Sequence, residues 1–395
     1  MMKKIITAFL LVASLICSLA FTSAAVAMND QGQIAVSSDL FNRVLLKKID
    51  NGLLVQDFYL DGTKYSDPYI LLDESQLDLA KFELDDYLSY HIQGSLTLWR
   101  TDGQKFLEAA FVQGEPSGIW TYWNFTGNKS LQGAYRHGRK VDEWRSWYNN
   151  QQLKQQGHYL DGQKQGHWQM WHTTGQLQYD EFYQNGQLDG AWKSWHLNGH
   201  LETEGHYKNG ERVGRWQTTY ETGDRLIANY SNGLMDNVWQ RFYSNGQKAF
   251  EGRYQQGLRE GQWQYWYDNG QLSAKQRYQQ DIPVDGLQRF HINGQLAQEG
   301  QYVEGKKQGI WQAWYDNGQP RERGQYSKGL PEGQWQVWYP NGQLFLEKNY
   351  QQGKKQGRYA KYYPNGKRLL LGEYNNDVPK GRWQYWREDG KPYKK

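Results

Sequence analysis

The sequence predicts an all-β fold: tandem 24-residue β-hairpin repeats joined into an elongated, single-layer antiparallel sheet. Three observations lead there. A glycine returns every 24 residues, at Gly103 and Gly127, from Gly175 through Gly199 to Gly223, and from Gly246 at the same step to Gly390. All 19 tryptophans fall into two columns three residues apart. Aromatic residues make up 16% of a chain that is only 38% hydrophobic, which is too aromatic for simple disorder and too poor in aliphatics for an ordinary interior. Units that repeat at such a period bury their surfaces against neighbouring copies.

The chain opens with a segment apart from the repeats. Lys3 and Lys4 precede the apolar stretch 5–21, and Ala25-Val26-Ala27 supplies a small-x-small site. This reads as a secretory leader cleaved after Ala27, so the mature chain is expected to be exported, periplasmic or extracellular, with no integral membrane span. Cys17 is the one cysteine and departs with the leader, leaving no disulfide to staple the fold. Removing Lys3 and Lys4 leaves 44 basic against 42 acidic residues, a net of +2. That balance argues against nucleic acid and against an anionic membrane.

Residues 28–78 are expected to form an N-terminal cap holding one degenerate repeat, in which Tyr59 and Gly62 echo the unit. About thirteen repeats then fill 79–395 if the first is phased at Leu79, with Tyr87 in its tyrosine column. Gln151 stands where one hairpin glycine belongs, and the unit between Gly223 and Gly246 is one residue short. The first tryptophan column runs from Trp120 to Trp383, the second from Trp99 to Trp386, and a third column is tyrosine in nearly every unit, from Tyr135 to Tyr374.

Turn chemistry gives the element type. Pro-Asn-Gly at 340–342 and 364–366 suits a type I turn closed by a glycine bulge. A second pair of glycines, such as Gly305 and Gly309, is expected to bracket the other turn. The segments between turns, six to eight residues long, are too short for helices. They are also too short for the spanning strands of an outer-membrane barrel. About 26 strands at ~4.8 Å would extend on the order of 125 Å.

A single-layer sheet has no second layer to bury against, so its side chains must cover one another. The pleat sends Trp335 and Trp338 to opposite faces. Each indole is expected to lie over glycines and aromatics of the next hairpin, and covering about 100 Å² is worth roughly 2.5 kcal/mol per tryptophan. Both columns are therefore expected to act as core.

The pattern Gly-x-x-x-Gly-x-Trp-x-x-Trp/Tyr-Tyr-x-Asn-Gly resembles the MORN-repeat variant found in the YwqK family of bacterial antitoxin-like proteins, over about residues 79–395. The resemblance implies tandem β-hairpins (a MORN-like solenoid) without enzymatic activity, and an antitoxin or protein-binding role. The leader departs from a cytosolic antitoxin and leaves open immunity against a toxin acting in the envelope.

No nucleophile elbow, phosphate-binding loop, dinucleotide fingerprint or zincin motif occurs, so no catalytic, metal or cofactor residues are assigned. Six of nine histidines lie between His158 and His206, but equivalent positions in adjacent hairpins are roughly 10 Å apart, too far to share a zinc. His172 and His196 read as replacements for tyrosine. Arg139, Lys140, Lys164, Arg212, Arg259, Lys306, Lys307, Lys354, Lys355 and Lys380 are expected in turns. There they would line one rim that steers an acidic partner, or be solvated turn charges among Glu211, Glu260 and Glu332. Two units depart from the pattern: one at Asp281, Asp285 and Leu287, and the short one with Thr219 and Asn237 nearby.

The expected function is a non-catalytic scaffold in the bacterial envelope that binds a protein partner. The alternative readings are a glycan or cell-wall recognition module of the choline-binding kind, and attachment to a phospholipid surface. No individual binding residue is singled out.

Overall fold

The computed structural model describes residues 25–28, 34–37, 41–77 and 91–393. The leader's apolar stretch, Leu79, Tyr87, Lys394 and Lys395 lie outside the described residues, and Ala27 falls in the strand Ala25–Met28. The described chain is almost wholly strand, with one short 3-10 turn at Glu74–Leu77. Strand pairings are antiparallel and join sequence neighbours, as tandem hairpins require, apart from Arg225–Ser231, which pairs with both Leu234–Met235 and Asn237–Phe242. No helix among the described residues is long and apolar enough to cross a membrane. Two compact units are present. One runs to Leu177 and takes in Tyr183–Gly186; the other holds Gln178–Phe182 and continues from Gln187.

The first unit begins with a conventional apolar core that the sequence reading did not foresee. Phe41–Ile49, Gly52–Tyr59, Tyr69–Leu71, Ile92–Trp99 and Lys105–Val112 bury Leu53, Val55, Leu71, Ile92, Leu96 and Leu98 together with Tyr65, Tyr69 and Phe111. Within it the Arg43 guanidinium donates twice to Asp57, at 2.8 and 3.0 Å, and once to the Gln76 carbonyl at 2.7 Å. Tyr69 Oη also donates to Asp57, at 2.8 Å. A buried pair of this kind is tolerated because its charges and hydrogen bonds are matched. Tyr59 and Gly62 close a turn of the repeat type, with the Gly62 amide donating to the Tyr59 carbonyl and Gly62 at φ 86°.

From residue 105 the repeats, apart from the short one, alternate strands of eight and eight or nine residues, as in Leu296–Val303 and Lys306–Trp314. These are longer than the six to eight residues expected, because ladder bonding continues up to both turns and each longer strand carries an insertion. One turn is the glycine-closed type I turn: the Gly342 amide donates to the Tyr339 carbonyl at 2.9 Å, and Gly342 has φ 80°. The other is tighter. Glu304 and Gly305 both have positive φ, 50° and 75°, which makes a two-residue type I′ hairpin turn.

Gly309 is not part of that turn, contrary to expectation. Gln301 pairs with Gln308 and Glu299 with Gln312, so residues 309, 310 and 311 together face the single Gly300. Gly309, at φ 69°, opens this bulge inside the strand. Gly333 and Gly357 do the same in later repeats, at φ 65° and 78°.

The short repeat keeps its faces in register. In an ordinary repeat Ser194 pairs with Thr203 and Trp195 with Leu201, which leaves Glu202 as an extra residue after the turn. In the short one Thr218 pairs with Leu226 and Thr219 with Arg225, with no residue left over. The missing residue is the bulged one.

Two faces of the repeat as candidate binding surfaces

The bulge sets where the first tryptophan column goes. With three residues facing one, the indole folds over the glycine eleven positions earlier: Trp311 over Gly300, Trp335 over Gly324, Trp263 over Gly252 and Trp168 over Gly157. A Cβ on any of these glycines would meet indole carbons at about 2 Å. The seat is therefore in the same repeat, on the strand before the tryptophan, and not in the next hairpin as expected.

Tyrosines of the third column stand edge-on between successive indoles. In the second unit Tyr302, Trp311, Tyr326, Trp335 and Tyr350 follow one another at centroid distances of 5.1, 6.0, 5.0 and 5.8 Å, with rings inclined by 76° to 84°. Edge-to-face contact places positive ring edges on negative ring faces. Burial raises the pKa of Tyr302 and Tyr326, and pushes Tyr135 up to about 12.

Six of the ten cations expected in turns lie on this face instead. Because the type I′ turn uses only two residues, Lys306 and Lys307 already belong to the strand, and alternation turns Lys307 onto the rings. Its Nζ lies 4.2 Å from the Trp311 centroid and 4.8 Å from that of Tyr326. Lys164 sits 4.3 Å over Trp168, and Arg212 4.3 Å over Trp216. Lys140 covers Trp144, Arg259 covers Tyr278 and Lys355 covers Tyr374. Burial holds the Lys140 and Lys307 ammonium groups below their ordinary pKa. Arg139, Lys306, Lys354 and Lys380, one position to the other side, are exposed. There is thus no single basic rim: six of the ten predicted cations cap an aromatic spine.

The second tryptophan column faces the other way, as the pleat required, but it is not core. Trp120, Trp168, Trp263, Trp311 and Trp335 of the first column are only 2% to 6% exposed, whereas Trp123, Trp266, Trp314 and Trp338 are half-buried. Beside them runs a row of amides and carboxylates: Gln240 Nε2 donates to Glu251 at 2.7 Å and Gln336 Nε2 to Glu347 at 3.3 Å. Nearer the type I′ turns this face exposes Leu258, Ile282, Val303, Ile310 and Leu330, each 42% to 54% accessible. In the divergent repeat Gly286 stands where Ile310 stands in the next. It opens a notch lined by Gln288, Glu299, Gln301, Gln308 and Ile310, while Leu287 replaces the seated tryptophan and Gln276 the seat glycine, both buried.

The glycine-closed turns carry a hydrogen-bond ladder that the sequence reading missed. Tyr315 Oη donates to the Trp338 carbonyl at 2.8 Å, Tyr339 Oη to the Tyr362 carbonyl at 3.0 Å, and Asn317 Nδ2 to the Pro340 carbonyl at 2.9 Å. Each donor reaches 23 residues forward, into the next repeat. His196 occupies the same place and its Nε2 donates to the Thr219 carbonyl at 2.7 Å, as a replacement for tyrosine would. His291 does likewise toward the Trp314 carbonyl at 2.9 Å.

No curated protein matches the chain. Among solved structures it is similar, faintly, to TcdB2-TccC3 without its hypervariable C-terminal region, at 11% identity and a TM-score of 0.16, covering 90% of this chain and 22% of that one. A TcdB2-TccC3-Cdc42 structure gives 9% identity and a TM-score of 0.12, covering 92% and 26%. The chain thus spans about a quarter or less of either, and likenesses this faint say nothing about its fold or partners. Seven segments, residues 164–185, 188–209, 235–256, 259–280, 307–328, 331–352 and 355–376, match the model of the MORN repeat variant, and the hairpins they span are tandem MORN-variant repeats.

Proposed function

We propose that this chain is a non-catalytic scaffold of the bacterial envelope, exported by its leader, that holds a protein partner in an antitoxin- or immunity-like role. The face carrying the second tryptophan column is the one that binds. What supports this is the contrast between the two faces. On one, the rings are seated on glycine, edged by tyrosine and capped by cations. On the other, half-buried tryptophans lie beside exposed Leu258, Ile282, Val303, Ile310 and Leu330. Exposed apolar side chains clustered within a polar surround mark interaction surfaces.

The test is affinity capture from envelope extract with the mature chain and with Ile310→Gln and Leu330→Gln variants. Gln262 and Gln334 already show that glutamine suits the Ile310 column. The reading expects a discrete protein captured by the native chain and lost with the variants. Capture that ignores these changes rules out this face.

A glycan is the second reading, favoured by the amide and carboxylate row beside the half-buried indoles, which is suited to sugar hydroxyls. Titration with oligosaccharides and choline, followed by tryptophan fluorescence, separates the two: saturable quenching without a captured protein supports the glycan.

A further inference from the structure

Repeats carry their own standard of comparison, because each residue can be set against those in the same column of its neighbours, and what is particular to the last repeats is how many cations meet there. Three columns turn cationic together in the last repeats, on the same face as the half-buried tryptophans. Arg358 and Arg382 stand where the four repeats before them carry Gln262, Gly286, Ile310 and Gln334. Arg368 follows Leu272, Leu296, Pro320 and Leu344 in a column that also holds Lys105, Lys129, Arg225 and Lys248 earlier in the chain, and Lys380 replaces Val284, Gln308, Glu332 and Gln356. These four cations line one concavity, with Gly372 and Gly381 among its other lining residues.

One carboxylate shares the concavity. Glu373 pairs in the ladder with Arg358 on one side and Lys380 on the other, so it lies between them on the sheet. No ion pair joins it to either among the described residues. Arg368 stacks on Trp386 at 5.1 Å, and its Nε is shielded from water with no hydrogen-bond partner. Cations gathered this way repel one another unless an anion arrives, and guanidinium forks match carboxylates two bonds at a time.

We propose that this concavity takes an acidic peptide segment of the protein partner, with its carboxylates spread over Arg358, Arg368, Lys380 and Arg382. Glu373 favours a peptide over a compact phosphate: a carboxylate among the cations repels a concentrated dianion. Separate peptide carboxylates can instead settle on the cations to either side of it. The assignment rests on the protein-binding reading above and adds to it the chemistry of the partner.

The test is fluorescence anisotropy of a labelled decapeptide alternating Glu and Ser, beside its Gln and Ser twin, against the mature chain. Arg358→Gln with Arg382→Gln is the test variant, since glutamine occupies that column in sibling repeats. Arg215→Gln with Arg277→Gln removes the same charge elsewhere on the same face, and Arg382→Gln alone serves if the double variant does not fold. The site predicts tight, salt-sensitive binding of the Glu peptide only. Affinity should fall about tenfold in the test variant and by less than about twofold in the control. Equal loss in both variants, equal binding of the two peptides, or displacement by inorganic phosphate and phosphatidylserine vesicles in place of peptide binding overturns it. A captured partner that still binds the test variant sinks this site and leaves the protein-binding reading standing. Peptide binding lost in the test variant, with no partner captured by the native chain, does the reverse.

Discussion

A Cβ at position 324 would sit 2.1 Å from Trp335 Cδ2, so no side chain fits between that backbone and the ring above it. Gly324→Ala should therefore lower stability by about 1–3 kcal/mol, the range for overpacking a tight contact, although alanine is otherwise the better strand residue. Urea unfolding followed by tryptophan emission measures it; an unchanged midpoint would mean the indole is not seated. Gln151 raises the opposite expectation. It holds φ 69° where its counterparts are glycine, and relief of that left-handed backbone should make Gln151→Gly more stable by about 1 kcal/mol in the same assay. Seat and turn glycines look alike in sequence. What separates Gly300 from Gly305 is the pairing register, which no count along the chain reveals.

Within one hairpin the two ends are held differently. The glycine-closed end is tied to its neighbour by tyrosine and asparagine side chains reaching 23 residues forward. Tyr315→Phe removes one such donor and leaves the partly buried Trp338 carbonyl without it, at a cost of about 1 kcal/mol. Amide exchange at residues 338–344 should speed up while the strand Lys306–Trp314 keeps its protection; uniform acceleration across both would contradict a local tie. The period, the glycine-closed turn and the tryptophan columns were legible in the sequence, because each repeats a residue type with a rigid conformational demand. The ring-capping lysines were not. Taking Lys306 and Lys307 as turn residues put them at a rim, and only the two-residue length of the Glu304–Gly305 turn moves Lys307 onto the face of the aromatic spine. The aliphatic core around Leu53 and Ile92 also escaped notice, since averaged composition hides an ordinary interior beside an aromatic array.

Across the whole molecule many tyrosines share one perturbation. Burial raises the pKa of Tyr135, Tyr159, Tyr254, Tyr302 and Tyr326 above the ordinary value of 10.0. In the unfolded chain these phenols ionise near 10, while Tyr135 in the fold waits until about 12. The folded state thus binds more protons in that window, so its stability is intact below pH 10 and falls as pH rises toward 12. The lowered lysine pKa values act in the other direction but on fewer groups. Alkaline titration should show tyrosinate absorbance rising in step with loss of the strand circular dichroism signal. Smooth ionisation centred at 10 with the signal intact would show the tyrosines to be solvated.

The omitted residue in the repeat between Gly223 and Gly246 bears on how such a chain can change its length. Side chains alternate strictly along a strand, so losing one residue in mid-strand would turn everything beyond it inside out, sending indoles to solvent and glutamines under them. Dropping the residue that already stood outside the ladder costs no such inversion. Codon-sized gains and losses can accumulate at that one joint while both surfaces of every later copy keep their identity.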